Sequence, residues 1–193
     1  HPAILAAVKL ADGSFVEPTD EMIEAIRKAE EKLREKWDEF VDEGLIPTES
    51  IPEGDKTNEV LLRGIDKFYK LFNARQLLTH ATVVKLIKEA YERLIDEGND
   101  EEYAKAVVTY LALAHGKLLD YHSAITSWDP YGKGSIRNTF NTHAYSIGQD
   151  FAEGDIITEK AGLLDWAIVS NVGVVSALKK LVNLLSGVKG DVK

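Results

Sequence analysis

Apolar residues return at three- and four-residue spacing along several stretches of the chain. The clearest stripe runs Met22, Ile26, Ala29, Leu33, Trp37 and Phe40, the signature of a helix with one buried face. It predicts a helix that starts at Thr19 and stops at Gly44. Asp20 and Glu21 fall in its first turn, where the helix dipole favours acids. The remaining face is densely charged and reads as solvated. Before this helix, Ala3 to Leu10 and Phe15-Val16 flank an Asp12-Gly13 turn, predicting two short strands. A hairpin of that size is marginal alone and is expected to pair with a sheet of a larger protein.

Residues 44–58 carry Pro47, Pro52 and Gly54 and read as a surface loop. A short helix is predicted over Asp66–Phe72. Asn73 and Gln76 stand in capping-box positions at the head of a helix running to about Glu97 and stopping at Gly98. Asn99 with Glu102 repeats the device and predicts a long helix to about Thr126. Its apolar positions Tyr103, Val107, Tyr110, Leu111, Ala114, Leu118 and Tyr121 place it near the centre of a bundle. Residues 127–137 are turn-rich. A short helix over Asn138–Ser146 follows, and a last one from Gly162 to Ser186 has Gly173 as a close-packing point. The fold class is mostly α, a bundle of about four to six helices with an N-terminal β-hairpin. Residues 1–18 form the appendage, 19–187 the bundle and 188–193 a tail.

Composition narrows the chemistry. The chain has 193 residues, 45% of them hydrophobic, which suits one folded domain. No apolar run approaches the roughly 20 residues of a membrane span, and a cytoplasmic location is expected. Cysteine is absent, which excludes disulfides, thiol catalysis and Cys-ligated zinc within this chain. Abundant Lys and Glu with only two glutamines fit a thermophile. The start at His1, with no signal-peptide pattern, reads as a segment of something longer.

Several catalytic signatures fail on inspection. Gly132-Lys133-Gly134-Ser135 lacks the first glycine and the Ser/Thr of a phosphate loop. No His-Glu-x-x-His, Glu-x-x-His or Gly-x-Ser-x-Gly occurs, and no metal site is expected. His115 and His122 lie two turns apart, and His80 reads as a half-buried packing residue. Asp129-Pro130-Tyr131 resembles the Asp-Pro-Pro-Tyr loop of amino-methylating enzymes but lacks one proline, and reads more simply as a tight turn.

Charge placement says more. The net charge is −9, yet the 22 residues between Asp66 and Glu89 contain no acid and carry Lys67, Lys70, Arg75, Lys85 and Lys88. The 20 residues between Asp129 and Asp150 are also acid-free and carry Lys133 and Arg137. In so acidic a chain, such windows suggest places where an anionic ligand is met. The second also holds Tyr131, Asn138, Phe140, Asn141, His143, Tyr145 and Gln149. Rings, amides and a guanidinium are what contact with an unstacked nucleotide requires. The alternative is a packed Phe140 and Tyr145, with Arg137 paired to Asp150 or Glu153.

Five stretches carry a family resemblance: Phe72-Asn-Ala-Arg75-Gln76-Leu77-Leu78, Asp120-Tyr121-His-Ser123, Trp128-Asp-Pro, Ile136-Arg137-Asn138-Thr139-Phe140 and Asp150-Phe151-Ala152-Glu153. In their order and spacing they resemble a segment of the large archaeal and bacterial adenine-specific DNA methylases that contain a zinc ribbon. His122, His143 and Gln149 depart from that pattern, His122 standing where the family has Asn. The resemblance implies that the S-adenosylmethionine loop and the zinc ribbon lie upstream of this segment and the catalytic Asp-Pro-Pro-Tyr loop downstream. The segment itself is then not catalytic and binds no cofactor. It implies a helical target-recognition region that contacts DNA or a flipped base and packs on the rest of the parent methylase. Arg75, Gln76, Lys133, Arg137, Asn138, Thr139 and His143 are its candidate contacts. Phe72, Tyr121, Ser123, Trp128 and Phe140 would shape the site. Gln76 competes for this role with its duty as a cap. A structural helical module for protein–protein contact, without nucleic-acid binding, is the alternative, and an RNA-modifying relative is a third.

Overall fold

The computed structural model describes residues 7–10, 12–129, 135–140, 143–145, 147, 151–156, 162–170 and 173–185. The elements in order are β1 (Val8–Lys9), β2 (Phe15–Val16), α1 (Asp20–Asp42), α2 (Asn58–Leu62), a 3-10 turn (Phe68–Leu71), α3 (Ala74–Asp96), α4 (Glu101–Tyr121), β3 (Ser127–Asp129), β4 (Ser135–Arg137), α5 (Leu163–Val169) and α6 (Val174–Leu185). The protein is mostly helical with a small N-terminal hairpin, as the periodicity predicts. α3 lies between α1 and α4, and α4 packs in turn against α5 and α6. α4 is therefore central, as its apolar pattern implies.

Local chemistry sets the boundaries of the long helices. The Thr19 hydroxyl accepts the Met22 N–H and opens α1. Gly44, at φ 65°, closes it. The Gly44 N–H donates to the Val41 carbonyl and the Leu45 N–H to that of Phe40, the paired bonds of a left-handed glycine stop. Both halves of the Asn73–Gln76 capping box form at α3. At the next junction the reading shifts by one residue. Asp100, not Asn99, caps α4 by accepting from Glu102 and Tyr103 N–H. Asn99 instead closes α3, donating backbone and side-chain N–H to the Leu94 carbonyl.

Two apolar clusters anchor the bundle. Leu33, Phe40, Leu45, Ile46, Leu77 and Ala81 join α1 to α3. Ile51, Val60, Leu71 and Ile125 gather α2 and the 3-10 turn under the C-terminal end of α4. The Pro-containing stretch after α1 is accordingly not a surface loop throughout. Leu45, Ile46 and Ile51 are buried, and Ile51 N–H pairs with the Asp66 carbonyl at 2.8 Å.

The C-terminal half departs further from its sequence pattern. α4 ends at Tyr121 rather than Thr126. The turn-rich stretch supplies an antiparallel pair, with Ser127 opposite Arg137 and Trp128 opposite Ile136. No helix covers Asn138–Phe140, which form a turn. The final helix is two, α5 and α6, broken before Gly173. A methyl group on Gly173 would stand 2.7 Å from the Ile168 carbonyl oxygen, so the close packing expected there is backbone against backbone. The N-terminal hairpin sits against β3. The Phe15 ring meets Trp128 edge-on at 6.2 Å, and the Lys9 ammonium lies over the indole.

Candidate functional site

The residues carrying the resemblance meet at one end of the α3–α4 pair. Glu153 accepts from Arg75 Nε at 3.1 Å, Arg75 Nη2 at 2.8 Å and Asn73 Nδ2 at 2.7 Å. Asn73 thus caps α3 with its oxygen while its amide NH2 holds Glu153. A short side chain at a helix start does both because its two polar ends point opposite ways. Ser123 and Thr139 share a hydrogen bond of 2.8 Å and are both buried. The Thr126 hydroxyl donates to the Ser123 and Ala152 carbonyls. β3 is extended on its other side by a bridge from Ser127 to Phe151.

Asp120, in the last turn of α4, fastens the turn after β4. Its carboxylate accepts from Asn138 Nδ2 at 2.8 Å and from the Phe140 N–H at 3.1 Å. Its carbonyl accepts the Thr139 N–H at 2.6 Å. These bonds tie residues 138–140 to the end of α4 as a turn; residues 141, 142 and 146 of the helix expected over Asn138–Ser146 lie outside the described residues. The bonds also fix which side chains face outward. Phe140 is 45% exposed and His143 is exposed with its backbone at φ 54°.

Beneath this turn lies a buried line of imidazoles that the sequence spacing did not suggest. His80 Nδ1 stands 3.2 Å from His115 Nε2, and His80 Nε2 lies 2.9 Å from the His122 carbonyl and 3.2 Å from His122 Nδ1. A carbonyl only accepts, so His80 Nε2 carries the hydrogen and Nδ1 is left to accept from His115. Burial holds His80 down at about 3 and, together with the Arg75 charge, His122 at about 4. Burial lowers His115 as well. His80 uses opposite ring nitrogens for its two neighbours, so the three rings do not converge on one point. Among the described residues no group of three ligands could hold a metal.

The charged candidates are mostly engaged within the chain. Every cation of the first acid-free window meets oxygen: Lys67 the Thr48 carbonyl, Lys70 Asp66, Arg75 Glu153, Lys85 Glu39 and Glu43, and Lys88 the Glu43 carbonyl. Lys85 and Lys88 thereby neutralise the acidic C-terminal end of α1, where the dipole favours cations. Arg137 pairs with Asp129 at 3.2 Å across the β3–β4 hairpin, while Glu153 is held by Arg75. Asp150 and Lys133 lie outside the described residues.

The structure brings Phe72, Arg75, Gln76, Ser123, Asn138 and Thr139 into this region as internal partners. Gln76 is fully buried; its oxygen completes the capping box, and its amide nitrogen has no partner. Phe72 packs edge-on against His80 at 5.0 Å. Tyr121 and Trp128 serve other contacts, Tyr121 against Trp166 of α5 at 4.9 Å and Trp128 against the N-terminal hairpin. Sequence reasoning took His80 as a packing residue, which its burial bears out, but missed its alignment with His115 and the place of Lys56. His80 and His115 lie on different helices, and only their packing reveals the alignment. Lys56 stands outside both acid-free windows, yet with Thr57, Phe140, His143, Ala144 and Tyr145 it lines a pocket of about 320 Å³.

Comparison with protein-family models, with curated proteins and with solved structures finds no match for this chain. Among the described residues, no helix is long and apolar enough to cross a membrane.

Proposed function

We propose that the chain is the helical, target-recognition segment of an S-adenosylmethionine-dependent adenine-specific DNA methylase of the zinc-ribbon type, and that its Phe140–His143 face contacts nucleic acid. The anchored turn is the observation that carries this reading. Three hydrogen bonds to Asp120 hold Asn138, Thr139 and Phe140 in one conformation, while an aromatic ring and an imidazole are left exposed. A binding group held by its neighbours is preorganised and loses little entropy when it meets a ligand. The interlock of all five resemblance-bearing stretches at this end of the bundle adds support, since they act as one unit. Arg75 and Gln76 then build the platform, and Arg137 and His143 offer the outward contacts. In this reading the methyl donor and the chemistry at adenine N6 belong to parts of the parent beyond these residues, and the segment positions the target.

The test is anisotropy of labelled single-stranded and duplex DNA titrated with the 193-residue chain at low and moderate salt, beside an Arg137→Ala/His143→Ala variant. Salt-sensitive binding that weakens in the variant is expected. Absence of binding at low salt would refute the reading.

One observation favours the second reading, a module that binds protein alone. Val169 on α5 and Leu181 and Val182 on α6 are exposed apolar residues. On that reading they would be covered by the parent protein.

A further inference from the structure

Among the described residues, the pocket under Phe140 combines a cationic side chain with aromatic rings and an imidazole. A cleft at the α3–α4 junction is lined by Glu92, Asp96 and Glu101 and repels anions. Another, on α6, is lined by Val175, Leu178 and Val182 around Lys179. Among the described residues, the Phe140 pocket has no carboxylate in its wall. Its cationic member, Lys56, is exposed and makes no ion pair among the described residues, whereas the cations of the first acid-free window are all engaged. The His143 imidazole likewise has no side-chain partner there. The Phe140 ring stands 5.6 Å from that of Tyr145 at 57°, and the residue is exposed.

The pocket is also braced from both sides. The Tyr145 N–H donates to the Lys56 carbonyl at 2.9 Å, so the two walls are tied together. Thr57 Oγ1 donates to the Pro52 carbonyl, fixing the Lys56 segment. Asp120 holds the Phe140 side. An exposed aromatic ring beside an imidazole and an ammonium that makes no ion pair among the described residues suits a flat ring joined to an anion.

From this arrangement we infer that the Lys56–Phe140–His143–Tyr145 pocket takes a single unstacked nucleotide of a DNA strand, its base stacked on Phe140 and its phosphate met by Lys56 and His143. The inference rests on the nucleic-acid reading proposed above and narrows it to a strand-opened target. Stacking is open to any base, because each has a π face. Lys56 supplies charge without sequence information.

The full chain should bind a labelled single-stranded 12-mer more tightly than the same sequence as duplex. Phe140→Ala should weaken single-strand binding by roughly 5- to 100-fold, the usual range for losing one stacked base, and Phe140→Tyr should restore it. Lys56→Gln should reduce the salt slope by about one unit. Circular dichroism of each variant reports that the fold is kept. Direct binding of adenosine monophosphate at millimolar concentration, without binding of the 12-mer, would mean a free-nucleotide pocket and overturn the assignment to a strand. Undiminished salt-sensitive binding by Phe140→Ala would overturn the pocket while leaving the DNA-contact reading intact. No binding of either DNA by the wild-type chain would overturn both.

Discussion

Arg75, at the start of α3, and Glu153, in the segment leading to α5, hold each other in a two-point ion pair although 78 residues separate them. Their side chains are only 18% and 20% exposed. A guanidinium fork on a largely desolvated carboxylate is strong when whole and costly when halved. Arg75→Ala leaves Glu153 with Asn73 alone, and should destabilise the fold by about 2–3 kcal/mol. The urea midpoint measures this. An Arg75→Ala change of under a few tenths of a kcal/mol would mean the pair behaves as an exposed one.

Asn73 offers a sharper test of the same knot. Asp caps helices as well as Asn does, so Asn73→Asp would be neutral at an ordinary helix start. Here it places a carboxylate against Glu153 and removes the donor of the 2.7 Å bond. The expected loss is about 1–2 kcal/mol, recovered in large part in a Glu153→Gln background. Additive effects of the two substitutions in a double-mutant cycle would contradict the contact.

The buried imidazoles predict a pH dependence with a definite sign. His80 and His122 stay neutral in the folded protein down to about 3 and about 4, whereas an unfolded histidine takes a proton near 6.5. Below that value the unfolded chain binds more protons, so stability falls as pH drops and is level above about 7. Between pH 7 and pH 5 the loss should come to about 4 kcal/mol for the two groups. Denaturant midpoints across that range give the slope. His122→Asn should flatten it, and a wild-type profile already flat would show that the rings titrate normally.

Two glycines should respond in opposite directions to the same substitution. Gly173→Ala drives a methyl group onto the Ile168 carbonyl at 2.7 Å, and backbone cannot swing aside, so a loss of about 1–3 kcal/mol is expected. Gly116 lies inside α4 with open space around it. There Gly116→Ala should gain about 0.5–1 kcal/mol from helix propensity. Thermal melts of the two variants should move apart, and a shift in the same direction would contradict the packing at Gly173.

The long helices were legible because their ends are decided locally. Thr19, Asn73, Gly44 and Gly98 each solve the unsatisfied backbone groups of one terminus with nearby atoms. The C-terminal half was not legible because distant residues decide it. Glycine and proline in 127–137 read as punctuation, but Ser127 to Asp129 pair with Ser135 to Arg137. Where a helix is expected at Asn138, Asn138–Phe140 form a turn bonded to Asp120, 18 to 20 residues back along the chain. The charge windows misled for a related reason: sequence records where cations sit along the chain, while α1, which lies 40-odd residues away from Lys85, supplies the carboxylates that neutralise it. Ser123 and Thr139 were singled out by resemblance alone, and their mutual bond is a tertiary fact.

The line of histidines has a consequence for how α3 and α4 find their alignment. The buried face of α4 consists of Ala104, Ala114 and Leu118, a smooth surface that gives little shape to tell one setting from the next. Sliding α4 by one turn, about 5.4 Å, would shift that face along α3. The same slide would carry His115 and the His122 carbonyl past His80 and strand its two ring nitrogens away from water. The polar contacts thus act as a detent, turning a continuous slide into a single permitted stop, and that stop is what brings Asp120 level with the turn it holds.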